Sequence, residues 1–314
     1  MDTIPKDRIL ESKPDALSVI RKQYNLDKPG QMKEAVSILH NWVQQQQHFK
    51  KKDFNTHYYE ICIITCKGSI ERAKSQLDKI CTMRTLLPQF FGDYNVKSDF
   101  GTLNEIVYLF LLPKLTDDYY RVIVSKLYDT STLKTSHLMD YYRKNIILAD
   151  YLKAHDYMTG FIVILDYSET NIVDLVSKLN PVDLKQAMSI FIQGYGMRIK
   201  GIYIISTSKV VNSLVAILKQ VLSAKVADRI NVIKSVEDLH KYMPNEILPK
   251  EYGGEERCIK DLRDELLDVL SSEEHMKYMR EMNAACTDET FRRKDSFNEQ
   301  YAGMPGTFRV LSVD

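Results

Sequence analysis

The sequence predicts an α/β protein: an all-helical N-terminal domain followed by a mixed, mostly parallel sheet covered by helices. Two observations carry this. Four short runs rich in β-branched residues follow one another after residue 100: 121–127 (RVIVSKL), 160–165 (GFIVIL), 201–206 (GIYIIS) and 229–234 (RINVIK). Helical stretches at 136–154, 172–193 and 209–227 separate them. Strands that alternate with helices pair in parallel, because a parallel connection needs a crossover long enough to hold a helix. The two uniformly apolar runs, 160–165 and 201–206, belong in the middle of the sheet, where both faces are covered.

Residues 1–95 read as helices. Pro29 and Gly30 separate an amphipathic stretch (Ile9, Leu17, Ile20) from a second one (Val36, Leu39, Trp42, Val43). Ser69 opens another helix, with Ile70, Ala73, Leu77 and Ile80 on one face, and Pro88 closes it. From Asp261 one charged helix is expected, then a tail broken by Gly303, Pro305 and Gly306, with 307–310 as a short terminal strand. The expected division is 1–95, 96–255 and 256–314.

Composition narrows the function. The chain has 314 residues, 44% hydrophobic, which suffices for a substantial core. A net charge of +1 gives no global field toward nucleic acid, which is not an expected partner. The five cysteines are an odd number in a long chain, so free thiols in a reducing compartment are expected rather than a disulfide framework. Residues 1–10 hold no apolar signal-peptide stretch, and the longest apolar run, 106–112, is too short to span a bilayer. A cytoplasmic monomer that meets membranes only transiently, at their surface, is expected.

Catalytic motifs are absent. Gly194-Tyr195-Gly196 begins like a dinucleotide loop, but Ile199 stands where the third glycine belongs. Gly196 to Gly201 has P-loop spacing, yet Ile202 replaces the lysine. There is no G-x-S-x-G elbow, and the seven histidines form no H-E-x-x-H pair. Cys62 and Cys66 share a helical face but make a poor zinc site by themselves. No catalytic residue, metal or cofactor is expected.

Three segments stand out. In 209–225, Val210, Val211, Leu214, Val215, Ile217, Leu218, Val221 and Leu222 gather on one helical face, while Lys209, Lys219 and Lys225 lie off it. Such a helix covers the sheet or forms a movable lid over an apolar cavity. In Arg198-Ile199-Lys200-Gly201, strand alternation puts both cations on one side and Ile199 on the other. Paired cations there are either a solvated strand entry or a phosphate-binding patch, since they repel each other unless an anion joins them. In 240–254 (HKYMPNEILPKEYGG), two prolines and a double glycine dictate a specific turning path.

These residues resemble the CRAL-TRIO family. YGMRIKGIYIIS (195–206) is similar to its loop-to-core-strand segment, ILPKEYGG (247–254) to its closing signature, and GFIVILD (160–166) to the strand ending in Asp-Leu-x-Gly. Residues 70–86 resemble the associated helical domain, and Gly306 to Arg309 a tail seen in some members. The family includes tocopherol and retinaldehyde carriers and phosphatidylinositol transfer proteins. The resemblance therefore implies a non-enzymatic carrier with a mobile gate helix at 209–225 and one bound hydrophobic lipid. It implies a cavity lined by Tyr142, Asn145, Ala149, Phe161, Val163, Leu165, Ala187, Ile190, Tyr195, Met197, Ile202, Leu214 and Ile217. It also implies phosphoinositide binding at the membrane through Lys67, Arg198, Lys200 and Arg229. A phosphoinositide-sensing trafficking adaptor is the alternative. The sequence departs from the family pattern in four places. Residues 63–69 keep only Lys67 of the usual cations, Glu169 replaces a glycine, and Ser206 and Ser208 replace the asparagine and proline before the gate.

Overall fold

Capping chemistry sets most of the N-terminal helices. A computed structural model of the chain describes residues 3–128 and 130–292. Helices α1 (Ala16–Gln23), α2 (Gln31–Gln45), α3 (Thr56–Thr65) and α4 (Ile70–Leu86) come first. The Asn55 side chain accepts from Tyr58 N to cap α3, and Ser69 accepts from Arg72 N to cap α4. Helix α4 ends one residue before Leu87-Pro88, because proline disfavours helix in the residue that precedes it.

Next come α5 (Gly101–Ile106), β1 (Val107–Leu111), β2 (Tyr120–Leu127), α6 (Thr135–His155) and β3 (Gly160–Asp166). They are followed by α7 (Ile172–Lys178), α8 (Pro181–Ser189), a π-turn (Ile190–Gly194), β4 (Ile199–Ile205), α9 (Val211–Val221), α10 (Ala224–Ala227) and β5 (Ile230–Ile233). The sheet has five strands in the order β1-β2-β3-β4-β5. β1 runs antiparallel to β2, and all later pairs are parallel.

Three expectations need correction. The apolar run at 106–112 supplies a fifth strand, β1: its side chains are shielded on both sheet faces, so it lacks the alternation that marks a half-exposed strand. The stretch 172–193 is broken in two, because Pro181 cannot donate a backbone hydrogen bond and Asn180 caps a new helix from Val182 N and Asp183 N. The charged C-terminal helix is likewise two, α11 (Ile259–Leu270) and α12 (Glu273–Asn283), because the Ser272 side chain accepts from His275 N and starts the second. The strand at 307–310 and the tail at Gly306 to Arg309 lie outside the described residues.

The two sheet faces are closed differently. Phe110, Val122, Val124, Ile162, Ile164 and Ile205 pack under the segment 239–252 and α11. Tyr252 locks this side: its buried hydroxyl donates to Asp166 Oδ2 at 2.7 Å, at the end of β3. Burial opposes charge on Asp166, but hydrogen bonds from Ser168 and Tyr252, with Lys126 at 3.1 Å, hold its carboxyl below the usual range. Glu169 joins the same cluster through Lys126 at 2.8 Å. Gly254 closes the turn so tightly that a Cβ would lie 2.0 Å from Leu248 O. The opposite face carries the larger core, which runs from Ile9 to Ala285 and includes the N-terminal helices.

Two measurements test this packing. Gly254→Ala forces a Cβ against rigid backbone and is expected to cost about 3 kcal/mol or more. Gly101→Ala, where a Cβ meets nothing within 4 Å, is expected to be neutral or stabilising. Equal melting temperatures for the two variants would contradict the tight turn. The second test concerns acid. His57 on α3 and His275 on α12 have both ring nitrogens buried without a hydrogen-bond partner. Burial pushes each imidazole down to about 4. The unfolded chain titrates these groups near ~6.5, so below that pH it takes up protons that the fold resists, and stability falls as pH drops toward 4. At pH 5 the loss is about 2 kcal/mol per histidine. Urea midpoints are expected to fall from pH 7 to pH 5, and to fall less in a His57→Phe, His275→Phe double variant. An equal fall in both proteins would refute the assignment.

Candidate apolar cavity and adjoining basic pocket

Alternation along the strands builds the floor of a cavity. Ile123, Ser125 and Leu127 on β2, Val163 and Leu165 on β3, and Ile202 on β4 project from one face. Helix α6 adds a wall through Leu138, Tyr141, Tyr142, Asn145, Leu148 and Ala149. Leu184, Met188 and Phe191 come from α8 and the π-turn, and Leu214, Leu218 and Leu222 from α9 and its end. The space is about 170 Å³. A single water needs only ~10–15 Å³, so this is a chamber rather than a packing defect.

Helix α9 forms the cover. Val211 and Leu214 are buried; Val215, Ile217, Leu218 and Val221 are half-buried; Asn212, Ser213, Ala216, Lys219 and Gln220 face solvent. It packs against α7, α8 and α10.

Beside the cavity, residues 195–200 are pinned by buried polar contacts. Tyr195 donates its hydroxyl to Asp150 Oδ2 at 2.7 Å, and Arg84 Nη2 donates to Asp150 Oδ1 at 2.8 Å and to the Tyr195 hydroxyl at 3.3 Å. Lys153 Nζ donates to Tyr195 O at 3.3 Å, to Gln76 Oε1 at 3.2 Å and to Thr65 Oγ1 at 3.4 Å. Gly196 has φ +68°, and a Cβ there would fall 1.5 Å from Gln76 Nε2. Glycine is therefore required both for its conformation and for its close approach to α4.

From this anchor the chain enters β4 with its side chains divided. Met197 and Ile199 belong to the cavity wall and also border an open hollow, which Arg198 and Lys200 face. The hollow gathers seven cations, Lys67, Arg72, Lys79, Arg198, Lys200, Lys225 and Arg229, with no Asp or Glu among its lining residues. Arg198 lies over the Tyr24 ring at 5.5 Å and also bonds its hydroxyl, and Lys200 lies over the Tyr120 ring at 4.8 Å. The guanidinium of Arg229 bonds Ile199 O. The crowding of like charge disfavours the charged form of two lysines. Arg198 and then Lys225 hold the Lys67 ammonium below its ordinary value. Burial, then Arg198 and Arg229, do the same to Lys200. Such a cluster is relieved by an anion.

The sequence-derived positions separate into two groups. Tyr142, Asn145, Ala149, Val163, Leu165, Met197, Ile202 and Leu214 line the cavity, and Lys67, Arg198, Lys200 and Arg229 line the basic hollow. Five positions lie outside the cavity wall. Phe161 shares the face of Val163 but sits at the N-terminal end of β3, in the packed core. Ala187 and Ile190 are fully buried on a stripe that continues to Gly194, where the π-turn packs on α4. Tyr195 is turned to Asp150. Ile217 is half-buried beside the lining stripe 214–218–222. Sequence reasoning missed Arg72, Lys79 and Lys225 in the hollow. Arg72 carried a signal: a cation in the first turn of α4 opposes the helix dipole, an arrangement that favours a bound anion nearby.

Comparison with known proteins agrees with this fold. Residues 107–254 match the model of the CRAL/TRIO domain. The chain is 32% identical over 98 residues to the alpha-tocopherol transfer protein-like protein of Mus musculus, and 31% identical over 98 residues to that of Homo sapiens. Each match spans 31% of this chain and only 28% of the relative's length. Among solved structures, Sfh5 superposes with a TM-score of 0.53 at 12% identity, covering 87% of this chain and 99% of the other. The family model covers just under half of the chain: residues 107–254 match a CRAL/TRIO domain, and the helices before residue 107 lie outside that stretch.

Proposed function

We propose that this chain is a non-enzymatic carrier that holds one small hydrophobic molecule, of the size of a tocopherol or retinoid, under α9 and exchanges it at membranes bearing phosphoinositides. The observation that carries this reading is the apolar chamber beneath a single amphipathic helix. Burying roughly 400 Å² of apolar ligand surface supplies about 10 kcal/mol gross. Association and ordering costs consume a large part of that. Full enclosure gives affinity but blocks release, so the roof must open. The basic hollow next to the roof supplies a reason for it to open at a membrane. Anionic headgroups attract the cluster, and α10, which carries Lys225, packs directly on α9.

The first cation of the family's stretch is missing here, with Thr65 in its place, but Arg72, Lys79 and Lys225 make up the charge. Charge reversal by Arg198→Glu with Lys200→Glu is expected to slow transfer to vesicles containing phosphatidylinositol bisphosphate at least about tenfold, at roughly 1 kcal/mol per surface cation. Affinity for the ligand should not change. Unchanged transfer rates in the double variant would sink the membrane role.

The strength of the cluster also favours a second reading, a phosphoinositide-sensing adaptor in which the chamber holds a regulatory lipid or none. Native mass spectrometry of the purified protein separates the two. A co-purified lipid of one hydrophobic class supports the carrier. An empty chamber together with tight headgroup binding supports the adaptor and overturns the carrier.

A further inference from the structure

Helices α9 and α10 meet in a two-residue joint, Leu222 and Ser223. Both have extended backbone, with φ −97°, ψ 152° at Leu222 and φ −65°, ψ 151° at Ser223. Leu222 is buried in the chamber wall, whereas Ser223, Ala224 and Lys225 are exposed. The Ser223 hydroxyl makes no capping bond to α10. An exposed, uncommitted hydroxyl therefore stands on extended backbone, at the point of the chain where the roof ends and the basic hollow begins.

The charges around this hydroxyl are basic. Lys219 lies four residues before it, in the last turn of α9. Lys225, two residues after it, lines the hollow together with Arg229. Asp228 is exposed and lies outside the hollow's lining. Protein kinases that select basic substrates read such flanking cations through charge complementarity, and they take the serine on extended backbone. Ser75 also borders the hollow, but it sits within α4 between the buried Ala73 and Leu77. Drawing Ser75 into a kinase would unpack that helix from the core. Ser223 needs no such unfolding, because α10 beyond it is a single turn.

We infer that Ser223 is a phosphorylation site, and that its phosphate pairs with cations of the hollow and switches off exchange at anionic membranes. The inference rests on the carrier reading and adds its regulation. The step moves the γ-phosphoryl group of a nucleoside triphosphate. A bond forms between Ser223 Oγ and the γ-phosphorus, and the bond from that phosphorus to the β,γ-bridging oxygen breaks. The nucleoside diphosphate leaves, and the hydroxyl proton passes to the base of the kinase and on to water. The product carries close to two negative charges beside Lys225. They cancel part of the attraction between the hollow and anionic headgroups, which for two charges is about thirtyfold in membrane binding. The same phosphate stands past the C-terminus of α9, where the helix dipole opposes it. Lys219 in the last turn offsets that repulsion, so the roof and the chamber beneath it change little.

Treatment of the full chain with ATP and a kinase selective for Ser-x-Lys tests it. Phosphopeptide mass spectrometry is expected to find phosphate on Ser223. Affinity for phosphatidylcholine vesicles containing phosphatidylinositol bisphosphate, read by sedimentation, is expected to fall about thirtyfold, and about fivefold in Ser223→Glu, which adds one charge. Kinase-treated Ser223→Ala should bind the vesicles as the untreated chain does. Binding of Nile red, a probe of the chamber, should stay within about threefold throughout. Absence of phosphate on Ser223, or vesicle binding that the phosphate leaves unchanged, overturns the inference and leaves the carrier reading standing. So does an equal fall in kinase-treated Ser223→Ala, or a loss of Nile red as large as the loss of vesicle binding. Failure of the untreated chain to bind these vesicles overturns the membrane part of the carrier reading, and this inference falls with it.

Discussion

The anchoring of Tyr195 is the contact on which the rest of the site depends. Its hydroxyl is tied to Asp150 and Arg84, its carbonyl to Lys153, and the next residue is a glycine pressed against Gln76. Removing Arg84 or Asp150 leaves the other charge buried and uncompensated, which costs far more than the pair contributes. The network thereby fixes the phase of the strand that follows. With that phase set, Met197 and Ile199 take part in the dry wall, while Arg198 and Lys200 face the wet hollow. A shift of one residue would put two cations into a chamber with no anion, so register here is strongly determined. The partition between lipid-like and aqueous surroundings is thus one strand thick.

The asymmetry between the two sheet faces follows from the same economy of packing. One face is sealed by the closing segment, where Tyr252, Asp166, Lys126 and the backbone at Gly254 leave no freedom. The other face is not packed solid: it leaves a space of about 170 Å³ under α9. The sealed side is fixed by these contacts, while the other side keeps a chamber and a roof with few buried residues. Regions of low local stability are the ones available for motion, and α9, with only Val211 and Leu214 fully buried, is such a region.

The regular parts of this arrangement were legible in the sequence. The four runs at 121–127, 160–165, 201–206 and 229–234 correspond to β2–β5, because crossovers of helical length leave little choice but parallel pairing. The division of Arg198 and Lys200 from Ile199 followed from period two alone. Two of the failures share a cause. An element buried on more than one side shows no single periodicity, so β1 lacked a strand pattern, and α8 with its π-turn concealed which stripe faced the cavity. Leu184, Met188 and Phe191 line it, whereas Ala187 and Ile190 pack elsewhere. All five are apolar, so the pattern does not separate them. Arg72 and Lys79 were hidden for the opposite reason: a basic helical face looks solvated until the fold brings β4 and α10 opposite it.

The departures from the family pattern are each accommodated locally, and the one before α9 has a mechanical consequence. Where a proline would stiffen the entry, this chain has Ser206 and Ser208. Ser206 Oγ accepts from Ser208 N at 3.2 Å, and Ser208 Oγ accepts from Val210 N at 3.3 Å. A proline restricts φ in every state of the chain, open or closed. Two serine hydrogen bonds hold the closed entry but vanish once water reaches them, each contributing about 1 kcal/mol. The entry to α9 is therefore set by contacts that break on opening rather than by a ring that persists through it. If the roof lifts as the carrier reading requires, an entry hinged in this way is ordered while shut and gains freedom on opening, which would lower the cost of release.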